Sequence, residues 1–343
     1  IGGIGMSAIA EVLHSKGFNI SGSDLNENQI TLRLKKKGIR VFKGHSSSNI
    51  NDADIIVFSS AIKKNNIEIK TANKKNIPLY SRASMLSEVM RIKPSITISG
   101  SHGKTTTTSL IASILEYSGQ DPTIINGGII NGIGANAKLG SGEWIVAEAD
   151  ESDGSFIMLP STIGVINNID LEHVDYYKNI KEIKNAFVKY AQNIPFYGFL
   201  SVNIDDKNIQ SILGKIKKKK VITYGFSKTA DIYPININVI KKGNNFFSSF
   251  DIVNNLEKRV VKNILIPLLG RHNIINTLSA FTVAKGLKVS DSKIKQSLKI
   301  FKGVKRRFTI LYNDSDNMII DDYAHHPKEI KTTLDALRSI SKK

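Results

Sequence analysis

Ser95-Ile96-Thr97-Ile98-Ser99-Gly100-Ser101-His102-Gly103-Lys104-Thr105-Thr106 is the stretch that decides the fold. Its β-branched first half predicts a strand, its glycines a turn, and the residues from about Thr105 to Tyr117 a helix. At such a junction backbone N–H groups point into a shared concavity, and the helix dipole adds partial positive charge there. Glycine lets the backbone approach a phosphate, Lys104 can reach terminal phosphates, and the Thr105 hydroxyl can bind Mg²⁺. Two residues separate Gly100 from Gly103, where the commonest loop of this kind has four. A chance Gly-Lys-Thr in a packing turn is the alternative. The β-branched run before it and the Thr-rich start after it weigh against that.

The flanking sequence alternates in the same manner. Upstream, a helix is expected from the opening residues to about Lys16 and another around Gln29 to Lys37. Strands are expected at Phe18 to Gly22, Arg40 to Phe42, Asp54 to Phe58 and Ile77 to Tyr80. Downstream, strands are expected at Trp144 to Ala147 and Thr162 to Ile166, and a strand-rich stretch over 220–266. Apolar residues at Ile180, Ile183, Ala186, Phe187, Tyr190, Ala191 and Ile194 line one side of a helix. A strand at Met318 to Ile320 and a helix after Pro327 close the chain. Strand–helix alternation reads as α/β with parallel sheets. It divides into segments 1–90, 91–302 and 303–343. The first strand of the opening unit should precede Ile1, and the last segment is too small to bury a core alone, so both ends are expected to be cut.

Composition narrows the class. With 343 residues the chain suits two or three domains. No apolar run approaches the roughly 18 residues that cross a bilayer, so no membrane insertion is expected. Zero cysteines removes disulfides, thiolate metal sites and a cysteine nucleophile, and fits a cytoplasmic protein. The net charge of +18 invites a nucleic-acid reading. The excess is Lys scattered among Asn and Ile, with no basic stripe interleaved with aromatics, so no nucleic-acid partner is expected.

The Gly3-Ile4-Gly5-Met6-Ser7-Ala8 run fits G-x-G-x-x-A, with Asp24 about twenty residues on. Alone it would suit an NAD-dependent oxidoreductase, since any nucleotide diphosphate can rest its pyrophosphate on a helix amino terminus. The phosphate loop downstream favours UDP. Glu148 ends an apolar strand beside three more carboxylates, so Thr105 and Glu148 are candidates for one Mg²⁺, which prefers oxygen ligands. Asp150, Glu151 and Asp153 are expected to shape the site or stay solvated. The His325-His326 pair makes a poor zinc motif, lacking a matching third ligand.

Several blocks occur in one order: Gly100 to Thr108; Glu148-Ala149-Asp150-Glu151-Ser152-Asp153; Asn167-Asn168-Ile169 with Glu172-His173-Val174-Asp175; Gly270-Arg271-His272-Asn273 with Asn276; Gly303 to Phe308; and Asp321-Asp322-Tyr323-Ala324-His325-His326-Pro327. The ordered set resembles the Mur ligases and, with the opening motif, covers almost the whole chain. The last block and the opening Ile1-Gly2-Gly3-Ile4-Gly5-Met6-Ser7-Ala8 look most like the branch that joins L-alanine to UDP-N-acetylmuramate. A branch that attaches a whole tripeptide is the runner-up.

The resemblance implies a Rossmann-like UDP-binding domain, a central P-loop ATPase domain and the start of a Rossmann-like carboxyl-terminal domain. It implies ATP and Mg²⁺ as cofactors and a monomer or homodimer. It assigns ATP to Gly100, Ser101, His102, Gly103, Lys104, Thr105, Thr106, His272, Asn273 and Asp322. UDP-substrate falls to Gly3, Gly5, Met6, Ser7, Asp24, Ser59, Ser60 and Arg82, and the amino acid to Tyr323 and His325. Lys104, Arg307 and His173 become catalytic candidates, with His173 near a second metal ion. Asn273 could read adenine or cap the following helix. Adjacent arginines usually diverge, so Arg307 is preferred over Arg306.

Overall fold

The computed structural model describes residues 1–343 apart from Ser60, Lys64, Ile92, Asn244, Ser315, Asp316 and residues 341–343. Its first segment runs α1 (Ile4–Ser15), β1 (Ser21–Asp24), α2 (Gln29–Lys36), β2 (Arg40–Lys43), β3 (Ile56–Phe58), α3 (Ile67–Lys74), β4 (Leu79–Ser81) and α4 (Arg82–Met90). β1 pairs in parallel with β2, and β3 with β4. The strand expected at Phe18 to Gly22 lies at Ser21–Asp24 instead. Gly17, at φ +89°, ends the α1 turn, and Phe18 donates its N–H back to Leu13, so the chain is still leaving the helix there.

The central segment builds one ten-stranded sheet from β5 (Ser95–Ser99), β6 (Thr123–Ile130), β7 (Ala135–Lys138), β8 (Ile145–Glu148), β9 (Ile163–Ile166), β10 (Phe199–Asn203), β11 (Val221–Tyr224), β12 (Ile232–Lys242), β13 (Asn245–Asn254) and β14 (Arg259–Ile266). Its order is β14-β13-β12-β11-β10-β9-β5-β8-β6-β7. The middle is parallel, and antiparallel pairs close both edges. Helices α5 (Lys104–Tyr117), α8 (Arg271–Gly286) and α9 (Asp291–Lys299) cover one face. The other face holds α6 (Ile180–Gln192) and α7 (Lys207–Leu213), together with Ala8 of α1 and Met90 of α4.

Pleating explains the division. Val146 points into the first core and Ile145 and Ala147 into the second. The spacing read for α6 is realised: Ile183, Ala186, Phe187, Tyr190 and Ala191 are buried, each large apolar chain contributing roughly 1.5–3 kcal/mol. Asn179 caps α6 by accepting from the Lys181 and Glu182 amides.

The last segment adds β15 (Thr309–Asn313), antiparallel to β16 (Met318–Asp321), and α10 (Pro327–Arg338). It joins the centre through Asn131 N–H to Gly303 O (3.2 Å) and Lys305 N–H to Ile129 O (3.0 Å). No helix among the described residues is long and apolar enough to cross a membrane.

β5 is the switch point of the sheet. The next strands it contacts, β8 and β9, lie on opposite sides of it, which opens a crevice beyond its carboxyl end. The phosphate loop occupies that crevice.

Candidate active site

The loop is clamped before it reaches α5. Ser101 N–H donates to Asn168 O (3.3 Å), His102 N–H donates to Asn168 Oδ1 (2.8 Å), and Asn168 Nδ2 donates back to His102 O (3.1 Å). Gly103 caps α5 at φ +79°, and no side chain accepts from the first-turn amides. Those amides are the donors that the first turn of a helix leaves without internal partners. They are therefore presented to an anion.

A Cβ on Gly103 would stand 2.6 Å from Asn276 Oδ1. Gly103→Ala should thus meet a left-handed backbone penalty of about 1–2 kcal/mol and a side-chain clash. Thermal denaturation should show a lower melting temperature, and nucleotide titration an affinity at least about tenfold weaker by the scale of 1.4 kcal/mol per decade. A variant that melts and binds like the parent would contradict this loop geometry.

Lys104 crosses the mouth of the loop. Its Nζ donates to Gly100 O (2.8 Å) and contacts Glu151 Oε2 at 2.9 Å. Burial opposes the ammonium charge, but Glu151, Asp150 and Glu148 outweigh it and hold the pKa above the usual lysine value. Glu151 was expected to shape the site or be solvated, and it is fully buried. Tyr177 OH donates to its backbone carbonyl (2.8 Å), fixing the turn that turns the carboxylate inwards. Its place inside a run of acidic residues hid this role.

Glu148 stands at the carboxyl end of β8, beside Thr105. Burial raises its pKa, partly offset by hydrogen bonds from Thr105 and the Gly127 amide. Its Oε1 is enclosed with no hydrogen-bond partner among the described residues. An enclosed, unpartnered carboxylate oxygen next to a threonine hydroxyl fits a hard divalent cation. Close by, donor atoms of Asp150, Glu151 and His173 lie within 4.8 Å of one another. His173 has φ +55°, its carbonyl accepts from both Tyr176 and Tyr177 amides, and its Nε2 is 3.6 Å from Glu151 Oε1. That contact raises the His173 pKa.

His102 gathers a second group. Its Nε2 is 3.1 Å from Asp170 Oδ2 and 3.4 Å from Glu172 Oε1, while Nδ1 is 3.2 Å from Glu329 Oε1 on α10. Burial works against the imidazolium, yet these carboxylates raise its pKa to about 9 and lower that of Glu329 to about 2. The contact docks the last segment on the loop.

The start of α8 differs from expectation. His272 and Asn273 lie within its first turn, and Gly270 occupies the capping position. Asn273 therefore does not cap. Its Nδ2 donates to Leu269 O (2.8 Å) and its Oδ1 accepts from Asn276 Nδ2 (3.3 Å), leaving one donor and one lone pair. Thr107 donates to Asn276 Oδ1 (3.2 Å) and accepts from Asn167 (3.1 Å), which accepts from Tyr224 OH (2.8 Å). This buried chain ties α8 to α5. His272 is desolvated, its pKa pushed down to about 4, and its Nδ1 is enclosed without a partner among the described residues.

In the last segment both arginines lie over Tyr323, Arg306 at 5.0 Å and Arg307 at 5.8 Å from the ring centroid. The expected divergence is absent because Arg306 and Phe308 take left-handed backbone, φ +58° and +49°. Asp322 accepts from the Phe308 amide (2.8 Å) and the Ala324 amide (2.7 Å), which fixes this turn. Tyr323 and His325 are exposed.

At the Gly-rich opening, Gly3 caps α1, Asp24 accepts from the Gly2 amide (2.8 Å), and Arg82 lies against Gly5, where a Cβ would be 2.6 Å from its Nη1. Ser7 is buried within α1, and Met6 precedes it. Ser59 follows β3 at the same edge at which Ser81 ends β4 and Arg82 begins α4. Ser60 lies outside the described residues.

Residues 98–284 match the Mur ligase middle domain, and residues 1–94 match the Mur ligase family, catalytic domain. The chain belongs to the Mur ligase family. It is 48% identical over its whole length to UDP-N-acetylmuramate–L-alanine ligase of Rickettsia bellii, covering 72% of that protein. It is 46% identical to the enzyme of the same name from Agrobacterium fabrum, covering 73% of it. Its backbone superposes on the UDP-N-acetylmuramate-alanine ligase of Thermotoga maritima with a TM-score of 0.83 at 27% identity, covering 99% of this chain and 76% of that one. A ligase from Neisseria meningitides titled for UDP-N-acetylmuramate and L-alanyl-γ-D-glutamyl-meso-diaminopimelate gives 0.78 at 26%, covering 89% and 97%. A Mur ligase leaves no place for the nicotinamide reading of the opening motif.

Proposed function

We propose that this Mur ligase joins L-alanine to the carboxylate of UDP-N-acetylmuramate with ATP, a step of peptidoglycan synthesis in the cytoplasm. The observation that carries this is Lys104 at the start of α5, whose first-turn amides no side chain covers, with Glu148 nearby, in a chain close to half identical to ligases of that name. Residues 1–90 would bind the UDP part, 91–302 ATP, and 303–343 begin the amino-acid domain.

A carboxylate resists an amine because its charge repels the nucleophile and oxide is a poor leaving group. Transfer of ATP's γ-phosphoryl group forms a bond from carboxylate oxygen to phosphorus and breaks the β–γ bridge, releasing ADP. The alanine amine then attacks the acyl carbon, and phosphate leaves from a tetrahedral intermediate. Lys104 and the α5 amides hold the phosphates in place, and Arg307 offers charge to the group in transfer. Thr105 and Glu148 would hold Mg²⁺, with His173 near a second ion. Bound there, Mg²⁺ supplies charge neutralisation on the phosphates. His272 and Asn273 would face adenine, Asp322 the ribose, and Tyr323 and His325 the amino acid. Gly3, Gly5, Met6, Ser7, Asp24, Ser59, Ser60 and Arg82 would serve UDP.

The acyl phosphate makes a definite expectation. With heavy oxygen in the muramate carboxylate, one labelled oxygen should enter inorganic phosphate for each amide formed. Label kept wholly in amide and acid, or lost to water, rules the route out. Running the assay with L-alanine, glycine, L-serine and the tripeptide tests the second reading, tripeptide ligation, for which the Neisseria likeness speaks.

A further inference from the structure

We propose that His102, Glu172 and His326 form a site for a divalent transition-metal cation of the zinc class, joining the start of the last helix to the phosphate loop. It is separate from the Mg²⁺ position at Thr105 and Glu148, and it does not depend on the reaction proposed above.

The donors come from three places: the phosphate loop, the loop after β9, and the residue before α10. All three ligand atoms lie within 4.8 Å of one another. His102 Nε2 is 3.4 Å from Glu172 Oε1, which is 3.9 Å from His326 Nδ1. Tetrahedral bonds of about 2.0–2.2 Å place ligands roughly 3.3–3.6 Å apart, so a small contraction closes the set. The two imidazoles already lean together, with centroids 5.2 Å apart and planes at 37°.

Two histidines and a glutamate with room for a fourth ligand is a donor set that zinc uses, and imidazole nitrogen favours zinc over magnesium. The surroundings support it further. A ligating histidine normally directs its other ring nitrogen at a carboxylate, and His102 Nδ1 meets Glu329 Oε1 at 3.2 Å. Asp170 Oδ2, 3.1 Å from His102 Nε2, adds a further negative charge beside the set. Three carboxylates around His102 supply the negative charge that a divalent ion needs. The His-His pair looked unsuited to zinc in sequence because its partners lie far away along the chain. The fold brings them in.

The test is zinc binding by equilibrium dialysis in saturating Mg²⁺, with Co²⁺ absorption as a probe of nitrogen-containing four-coordinate geometry. The parent should bind one Zn²⁺ and show the intense visible Co²⁺ bands. His326→Ala and Glu172→Gln should each weaken zinc at least about tenfold and abolish those bands. His173→Ala, aimed at the neighbouring cluster, should leave both within twofold. Circular dichroism identifies a misfolded variant, and either of the first two variants suffices if the other fails. Unchanged zinc binding in both, or loss that follows His173 instead, overturns the proposal.

Discussion

Replacing Lys104 with alanine is expected to lower ATP-dependent ligation at least about a hundredfold, the scale for one electrostatic donor at a transition state. Ligation within tenfold of the parent would remove Lys104 from the mechanism. The structure adds a second consequence. Glu151 is fully buried against Lys104, so deleting only the cation leaves a carboxylate stranded. Removing one partner of a buried pair typically costs about 3–5 kcal/mol. Lys104→Ala should therefore melt well below the parent. The double variant Lys104→Met with Glu151→Gln should regain most of that stability and remain inactive. Recovery of activity along with stability would show that Lys104 only balances charge.

Changing Glu148 to glutamine should raise the Mg²⁺ concentration for half-maximal activity by at least about tenfold, since the amide keeps the size but not the charge that holds a cation. In the absence of metal the variant should melt at or above the parent. The sign follows from the raised pKa: the fold disfavours this carboxylate's charged form, so at neutral pH ionised Glu148 opposes folding. Mg²⁺ should then raise the melting temperature of the parent more than that of the variant, because only the parent gains by mass action. An unchanged Mg²⁺ dependence would remove Glu148 from the metal site and leave it a buried carboxylate held by Thr105 and the Gly127 amide.

The chemistry-bearing backbone was legible because it depends on local pattern. The β-branched run, Gly100, Gly103 and the Thr-rich start fix strand, turn and helix within a dozen residues, and α5 follows that reading closely. The α6 spacing was equally plain. What escaped depends on distant partners. Glu151 reads like its acidic neighbours until Tyr177 and Lys104 are placed around it. Whether Asn273 reads adenine or caps the helix stays open in the sequence, and only the position of Gly270 at the start of α8 removes the capping alternative. Strand β15 was missed because its alternation is interrupted by a register shift between Ile310 and Tyr312. His326 was discounted because its neighbours are supplied by other segments.

The clamp on the phosphate loop also sets an order of events during synthesis. His102 must wait for Asn168, 66 residues further along, before its amide finds a partner. At about 5–20 residues per second, the loop spends roughly 3–13 s outside the ribosome without that partner. For the first 47 residues synthesised after Lys104 it lacks Glu151 as well, and the turn it folds against stays unfinished until Asn168 emerges. The link from His102 to Glu329 spans 227 residues and so forms last. A nascent chain ending before Asn168 carries every residue of the phosphate motif without the side chain that clamps it.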